Sequence, residues 1–211
     1  MPLKKTSSKS SKDKQTNFLS ISPEDAKNTL HALIKQNSIY NRDSILKSGR
    51  ISTVSFDLKE TMLGAEGSFL SAICLFDLIK SNVKAVGGFI DSTYSLSVAV
   101  SMLASISGQE LNCFYVRELG DAKVYGKSKI IDGPLKAGSK VCLIQDLVTS
   151  GASLIQMIRT LKEQMGVTVE QVVSLLDRND GAVRKFDELG IDYSYVFSVK
   201  DFVKEEIYSN V

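Results

Sequence analysis

From residue 85 onward, short apolar runs alternate with segments of helical periodicity, and this alternation constrains the fold more than any other feature. The apolar runs lie at 85–90, 112–116, 141–144, 169–176 and 193–198. Helical spacing is found through Leu96, Val100 and Leu103, and again at 153–164 and 182–189. Strands separated by helices of about 10 to 15 residues predict an α/β fold, in which helices flank a central parallel sheet.

The segment before residue 85 is predicted to form smaller elements. Ser22 and Pro23, followed by two acids, are typical of a helix start, and apolar spacing continues this helix to Ile34. Alternation at 44–57 around a Ser-Gly turn predicts a short hairpin or two edge strands. A further helix is expected at 67–81. We therefore expect a single domain at 17–211, with small N-terminal elements at 17–65 and the core at 66–211.

The net charge of +2 is unevenly distributed along the chain. Residues 1–16 contain five lysines and one aspartate, whereas the remainder carries a net charge of −2. This Ser/Lys-rich tail has almost no apolar side chains, which predicts a disordered extension. Because it lacks clustered arginines and interleaved aromatic residues, a nucleic-acid or membrane-surface arm is disfavoured. We expect neither nucleic acid nor a membrane as a partner.

Three cysteines, Cys74, Cys113 and Cys142, form no metal-ligand pair, and an odd number cannot close a disulfide framework. Cys113 and Cys142 lie in apolar runs and are predicted to be buried thiols in a reducing compartment. No apolar run is long enough to span a membrane, and no signal-peptide core follows the N-terminus. The expected location is the cytoplasm.

In open parallel sheets, ligands bind beyond the carboxyl ends of the strands. The loops predicted at 87–95, 117–133, 145–153 and 177–181 should therefore converge on one crevice. The most informative segment is Val141-Cys-Leu-Ile-Gln-Asp-Leu-Val-Thr-Ser-Gly-Ala-Ser153, which contains the loop at 145–153. An apolar strand leads into Asp146, then into a small hydroxyl- and glycine-containing turn at 149–152, and then into an amphipathic helix. Backbone N–H groups at such a helix start favour a phosphate, and Asp146 could bind sugar hydroxyls.

This 13-residue stretch resembles the phosphoribosyl pyrophosphate (PRPP) motif of type I phosphoribosyltransferases. Three further segments resemble the orotate phosphoribosyltransferase family in the same order. Leu46–Arg50 with Ser55-Phe56-Asp57 is similar to that family's N-terminal hood, so the hood is expected at 17–65. Arg117–Gly126 and Gly133–Gly138 resemble its catalytic loop and the following turn. Asp177-Arg178 resembles the pair beside the base.

The resemblance implies transfer of ribose 5-phosphate from PRPP to orotate, giving orotidine 5′-monophosphate and pyrophosphate for UMP biosynthesis. It implies Mg²⁺ carried by PRPP, with no metal ligands assigned to protein side chains, and a homodimer in which the loop lysine acts across the interface. The implied catalytic residues are Lys123, Arg117 and Asp146. The implied PRPP-binding residues are Lys47, Gln145, Asp146, Thr149, Ser150, Gly151, Ala152 and Ser153. The implied orotate-binding residues are Phe56, Arg178 and Thr149.

Five positions depart from the family pattern. Gln145 stands for the first of two acids, Glu118 for a lysine, Tyr125 for a loop histidine, Asp91 for a lysine of the 87–93 segment, and Ser55 for an aromatic residue. Three of these changes remove or reverse positive charge on the pyrophosphate side. Two alternatives therefore stay open: a weakened homologue that binds nucleotides or PRPP, and a phosphoribosyltransferase for another base.

Overall fold

The computed structural model describes residues 21–45, 51–117, 131–203 and 208–209. The tail at 1–16 and most of the 117–133 segment lie outside them. The helices are α1 Pro23–Asn37, α2 Lys59–Met62, α3 Ala65–Leu78, α4 Ile90–Ile106, α5 Ala152–Met165 and α6 Ala182–Glu188. The strands are β1 Ile39–Ile45, β2 Ile51–Phe56, β3 Ala85–Phe89, β4 Asn112–Val116, β5 Ile131–Asp132, β6 Lys140–Val148, β7 Thr168–Asp177, β8 Asp192–Ser198 and β9 Tyr208–Ser209.

The described residues form a central six-stranded sheet with the order β5-β4-β3-β6-β7-β8. All neighbouring strands run parallel except β5, which pairs antiparallel with β4. The predicted α/β fold with a central parallel sheet is confirmed. Strand β5 was not predicted, because two residues are too short to show a periodic pattern.

Strand β6 shows why the sheet is covered on both faces. Cys142 and Ile144 pack in one apolar cluster together with residues of α1, α3 and α4. Val141 and Leu143 pack in a second cluster with residues of α5 and α6. Since successive side chains of a strand point to opposite faces, a continuous apolar run buries both faces at once. This arrangement leaves the strand ends to form the site.

Two boundaries at the strand ends differ from the predictions. Strand β6 continues to Val148 rather than ending at 144, so Gln145 and Asp146 lie within the strand. The loop expected at 87–95 is wrong, because β3 runs to Phe89 and α4 begins at Ile90. A Cβ on Gly88 would lie 2.6 Å from the Ile144 carbonyl oxygen, so this glycine allows close packing rather than loop flexibility.

A smaller antiparallel sheet with the order β1-β2-β9 consists of two strands from the N-terminal region and the distant strand β9. The predicted hairpin is confirmed, although its first strand begins at Ile39 instead of 44. Strand β9 adds residues 208–209 to the outer side of β2. We call β1, β2, β9, α1 and α2 the hood. Ser22 caps α1 as expected, since its hydroxyl accepts a hydrogen bond from the Asp25 N–H at 3.1 Å.

The three cysteines are free thiols. Cys142 is buried as predicted, but the prediction is wrong for Cys113, which is only partly buried near the sheet edge. Cys74 is buried, and burial raises the pKa of its thiol to about 11. Within the described part of the chain, no helix is long and apolar enough to cross a membrane.

Candidate active site

The carboxyl ends of the parallel strands meet at one edge of the central sheet. Arg117 follows β4, Thr149 follows β6 and Arg178 follows β7. The backbone N–H of Arg178 donates to the Val148 carbonyl at 2.9 Å, which joins the ends of the two central strands directly. The predicted convergence of the 145–153 and 177–181 segments is therefore observed. This edge is the candidate active site.

Asp146 lies on β6, three residues before the turn. Its Oδ1 accepts hydrogen bonds from the Gln145 Nε2 at 2.6 Å and from the Leu147 N–H at 2.8 Å. Burial raises the pKa of the Asp146 carboxyl, while the two hydrogen bonds and the charge of Lys59 act in the opposite direction. The site thus contains one oriented carboxylate and one amide where two acids were expected from the family pattern.

The turn at 149–153 connects β6 to α5 and has the backbone expected of an anion site. Gly151 precedes the helix with φ +71° and ψ 2°, a left-handed conformation that favours glycine. No side chain caps α5, and its first turn contains no acidic residue. The first N–H groups of an α-helix have no partner within the helix, so those of Ala152 and Ser153 are placed to bind an anion.

Gly151 is also required by packing. A Cβ at this position would lie 3.0 Å from Cζ of Phe186, whose side chain is fully buried on α6. The left-handed turn and the close approach of α6 therefore depend on the same glycine. We call the segment Thr149–Ser153 the phosphate turn.

Arg178 connects the end of β7 to the hood. Its side chain is only 6% exposed, and one of its terminal nitrogens donates to the Val54 carbonyl at 2.9 Å. The guanidinium carbon lies 5.5 Å from the centre of the Phe56 ring. A buried guanidinium beside an aromatic face suits a flat anion that bears a carboxylate. Two of the three residues predicted to bind orotate, Phe56 and Arg178, are thus brought together.

The neighbouring turn fixes the position of Arg178. The Asn179 N–H donates to the Asp177 carboxylate, and its side-chain amide donates to the Ser198 hydroxyl at 2.9 Å. Asn179 has φ +54°, a left-handed conformation that asparagine tolerates better than most residues. These bonds hold the ends of β7 and β8 together, so the backbone that carries the Arg178 side chain is fixed in position.

Arg117 is engaged at the opposite side of the edge. Its Nε donates to the Asp132 carboxylate at 2.6 Å, and a terminal nitrogen lies 3.3 Å from the Tyr115 hydroxyl. The hydrogen bond to Asp132 raises the pKa of the guanidinium further. Lys47 and Lys123 lie outside the described residues, so their roles and that of Arg117 stay predictions.

Sequence reasoning missed two lysines that approach the site. Lys185 on α6 donates from Nζ to the Ser150 carbonyl in the phosphate turn at 3.1 Å. Lys59, at the start of α2 in the hood, acts electrostatically on Asp146. No signal in the sequence could have found Lys185, because it belongs to no motif and lies 35 residues from Ser150.

Known proteins are similar to this chain, although no family model matches it. An orotate phosphoribosyltransferase from Thermosynechococcus vestitus is 30% identical over 178 residues, which are 84% of this chain and 93% of that protein. The crystal structure of Mycobacterium tuberculosis H37Rv orotate phosphoribosyltransferase in complex with Fe(III) dicitrate has a TM-score of 0.71 and 24% identity, covering 84% of this chain and 98% of the other. The PRPP complex of that enzyme gives 0.68 and 20%, covering 87% and 94%.

A central parallel sheet with a helix-start turn after the strand that carries Asp146, together with a small hood, matches the fold of the type I phosphoribosyltransferases. The similarity to the Thermosynechococcus protein extends over nearly the whole length of both chains. The chain belongs to the orotate phosphoribosyltransferase family.

Proposed function

We propose that this chain transfers ribose 5-phosphate from PRPP to the ring nitrogen of orotate, releasing pyrophosphate and forming orotidine 5′-monophosphate in pyrimidine biosynthesis. One observation carries the proposal. The phosphate turn and Arg178 follow adjacent strands and are joined by the bond from the Arg178 N–H to the Val148 carbonyl. A phosphate site and a site for an aromatic carboxylate therefore lie side by side, as the two ends of this nucleotide require.

Each part of the nucleotide has a proposed partner. The phosphate turn, from Thr149 to Ser153, holds the 5′-phosphate through backbone N–H groups and hydroxyls. Asp146, with Gln145 beside it, accepts hydrogen bonds from the ribose hydroxyls. Phe56 stacks on the pyrimidine ring, and Arg178 binds the orotate carboxylate with its guanidinium fork. Thr149 contributes a hydroxyl at the junction of the two ends.

Mg²⁺ is proposed to enter with PRPP, and the donor set near the turn supports this arrangement. Among the described residues, no group of three or more His, Cys, Asp or Glu side chains could hold a metal ion. Asp146 stands beside an amide instead of a second acid, and its Oδ1 already accepts two hydrogen bonds. Mg²⁺ is commonly held by substrate phosphates together with waters. When bound, the ion would offset the negative charge of the diphosphate.

Positive side chains are proposed to meet the charge that develops on the leaving pyrophosphate. Cleavage at the anomeric carbon has oxocarbenium character, so the departing diphosphate gains negative charge in the transition state. Lys123 and Arg117 are the proposed catalytic cations, and Lys47 is the proposed further contact to PRPP. The position of Arg117 directly after β4, at the carboxyl ends of the parallel strands, supports this role. Closure of the segment that carries Lys123 would also exclude water from PRPP.

A homodimer is part of the proposal and is supported by the surface of α4. Tyr94, Met102 and Ile106 are 48%, 61% and 64% exposed, and their spacing places them on one face of the helix. A second copy covering this apolar stripe would bury it. Tyr94 packs edge-on against Tyr115 of β4, the strand that leads into the segment of Lys123. A partner on this face would thus lie close to the start of that segment.

A direct assay tests the proposed function. Purified chain is mixed with Mg²⁺, PRPP and orotate, and orotate is followed by its ultraviolet absorbance. The proposal predicts loss of orotate with formation of an equal amount of pyrophosphate. Absence of orotate consumption over hours at micromolar enzyme would refute the proposal.

The three free thiols support the further proposal that this activity is located in the cytoplasm.

The alternative of a nucleotide-binding homologue without turnover is favoured by one observation. Arg117 is held by Asp132 at 2.6 Å, so a proposed catalytic cation is neutralised in this structure. That alternative predicts binding of PRPP or a nucleoside monophosphate by calorimetry together with a negative orotate assay. The alternative of another base is distinguished by Arg178, because a purine offers no carboxylate for this guanidinium.

A further inference from the structure

Lys185 is one of the α6 side chains that contact the phosphate turn. Its Nζ donates to the Ser150 carbonyl at 3.1 Å, and the side chain is partly buried. Phe186, the next residue, is fully buried and lies directly beneath Gly151. Two consecutive residues of α6 thus support two consecutive residues of the turn.

Lys185 forms no ion pair in the described part of the chain. No carboxylate there lies within ion-pair distance of its ammonium group. The adjacent Arg184 differs, since its Nε lies 3.5 Å from Glu188 and its side chain is 79% exposed. Of these two neighbouring cations, Lys185 is bonded to the phosphate turn and Arg184 to its own helix.

The contact also changes the electrostatics of the turn itself. A carbonyl oxygen beside an anion site carries partial negative charge and disfavours a phosphate. An ammonium group bonded to the Ser150 carbonyl offsets this partial charge and fixes the peptide plane, so that the N–H groups of the turn keep their orientation.

We propose that Lys185 is a positioning residue of the phosphate turn, and that its charge increases affinity for the 5′-phosphate of the substrate and product. This inference rests on the proposed function, because it assigns the turn to a 5′-phosphate. Lys185 acts on binding of the phosphate monoester and not on the bond that breaks. Its contribution is therefore equal in the ground state and the transition state.

The experiment compares Lys185→Met, Lys185→Gln and Lys185→Arg, with Arg184→Met as the matched control. Ribose 5-phosphate is the binding probe, measured by calorimetry, and KM for PRPP and kcat are measured where turnover is present. Lys185→Met should lower the affinity for ribose 5-phosphate about tenfold, the usual effect of losing one charge-assisted hydrogen bond. KM for PRPP should rise by a similar factor with kcat within about twofold of wild type.

The remaining variants separate charge from hydrogen bonding. Lys185→Arg should restore affinity, whereas Lys185→Gln, which keeps a donor but loses the charge, should remain weakened, and the loss should shrink at high salt. Wild-type affinity in Lys185→Gln would overturn the role of the charge. Equal weakening in Arg184→Met, or a fall in kcat without a change in KM, would overturn the proposal. If Lys185→Met does not fold, the Gln and Arg variants decide the question.

The binding arm also distinguishes this inference from the proposed function. Wild-type chain that binds ribose 5-phosphate without consuming orotate would refute the transferase activity and support the phosphate turn. Wild-type chain that does not bind ribose 5-phosphate would refute the turn and Lys185 together. Normal binding in wild type and in every Lys185 variant would refute Lys185 alone.

Discussion

Gln145 donates from Nε2 to Oδ1 of Asp146 at 2.6 Å, so neighbouring residues of one strand form an amide–carboxylate pair at the site. Adjacent strand residues normally point to opposite faces, so this hydrogen bond joins two side chains that a regular strand would separate. A second acid at position 145 would repel Asp146. The amide instead favours the ionised form of the carboxylate.

Replacing Gln145 by leucine should make activity more sensitive to acid. Burial already raises the pKa of Asp146, and the hydrogen bond from Gln145 counteracts this shift. Without the amide the pKa rises further, so Asp146 becomes protonated, and kcat/KM for PRPP declines, at a higher pH than in wild type. The measurement is the pH profile of kcat/KM for PRPP.

Gln156→Leu is the control for this profile, because Gln156 is an exposed residue of α5. It should leave the acid side of the profile unchanged. Asp146→Asn should lower kcat/KM and remove the acid inflection. An unchanged inflection in Gln145→Leu would show that the amide does not tune Asp146.

Replacing Arg178 by lysine should strongly weaken orotate recognition while sparing the phosphate end. Lysine keeps the charge but loses the planar fork, and it cannot both reach the Val54 carbonyl and bind a carboxylate at two points. Loss of such a bidentate, partly desolvated contact costs roughly 2–3 kcal/mol, so KM for orotate should rise about 30- to 150-fold. Calorimetry with ribose 5-phosphate should remain near wild type. Equal weakening of both ligands would show that Arg178 acts on the whole fold instead.

Gly151→Ala should destabilise the protein more than Gly166→Ala. Both glycines have positive φ, +71° and +60°, so both substitutions incur the left-handed penalty of about 1–2 kcal/mol. Only at Gly151 would the new Cβ also lie 3.0 Å from the Phe186 ring, whereas nothing lies within 4 Å at Gly166. Urea unfolding measures the difference.

The same pair of variants tests the phosphate turn. Gly151→Ala should also weaken the binding of ribose 5-phosphate, because displacement of the turn misaligns its N–H groups. Gly166→Ala should leave this binding unchanged. Equal stability and equal binding in the two variants would contradict the packing described for Gly151.

Mixing two inactive variants tests whether Lys123 acts across a dimer interface. Lys123→Ala should lower turnover far more than it weakens PRPP binding, because the pyrophosphate charge that Lys123 meets develops mainly in the transition state. Arg178→Met should be inactive through loss of orotate binding. If Lys123 acts across the interface, a mixed dimer contains one site with both defects and one intact site, so up to about a quarter of wild-type activity should return.

Refolding the two variants together provides the mixed dimers, and each variant refolded alone provides the control. No recovery, while size-exclusion chromatography shows dimers, would place Lys123 in its own subunit's site. A monomeric wild-type chain would contradict the interface proposed on α4.

Hydrophobic periodicity and the positions of turn residues could predict most of the fold. The buried strands are continuous apolar runs, and the helices show regular apolar spacing. The sequence could not reveal that β6 continues through Gln145 and Asp146, since polar residues in a strand end look like a loop. Gly87 and Gly88 suggested a loop because glycines are typical of turns and loops. Their real role is close packing, as a Cβ on Gly88 would meet the Ile144 carbonyl.

The site could be predicted only where its residues lie in one motif or at a strand end. The phosphate turn is contiguous in sequence, and Arg178 follows the run that forms β7. The contacts between Lys185 and Ser150 and between Arg178 and the Val54 carbonyl join residues 35 and 124 positions apart. Such contacts depend on how helices and the hood pack, and one sequence holds no local signal for them.

The central claim is that orotate is the base transferred, and a comparison of bases tests it most directly. The chain is incubated with Mg²⁺ and PRPP and with orotate, uracil or adenine, and pyrophosphate release is measured beside mass analysis of the nucleotide. We expect pyrophosphate and orotidine 5′-monophosphate in equal amounts with orotate only, and a strong decrease of both in Arg178→Lys. Pyrophosphate release with adenine or uracil but none with orotate would contradict it.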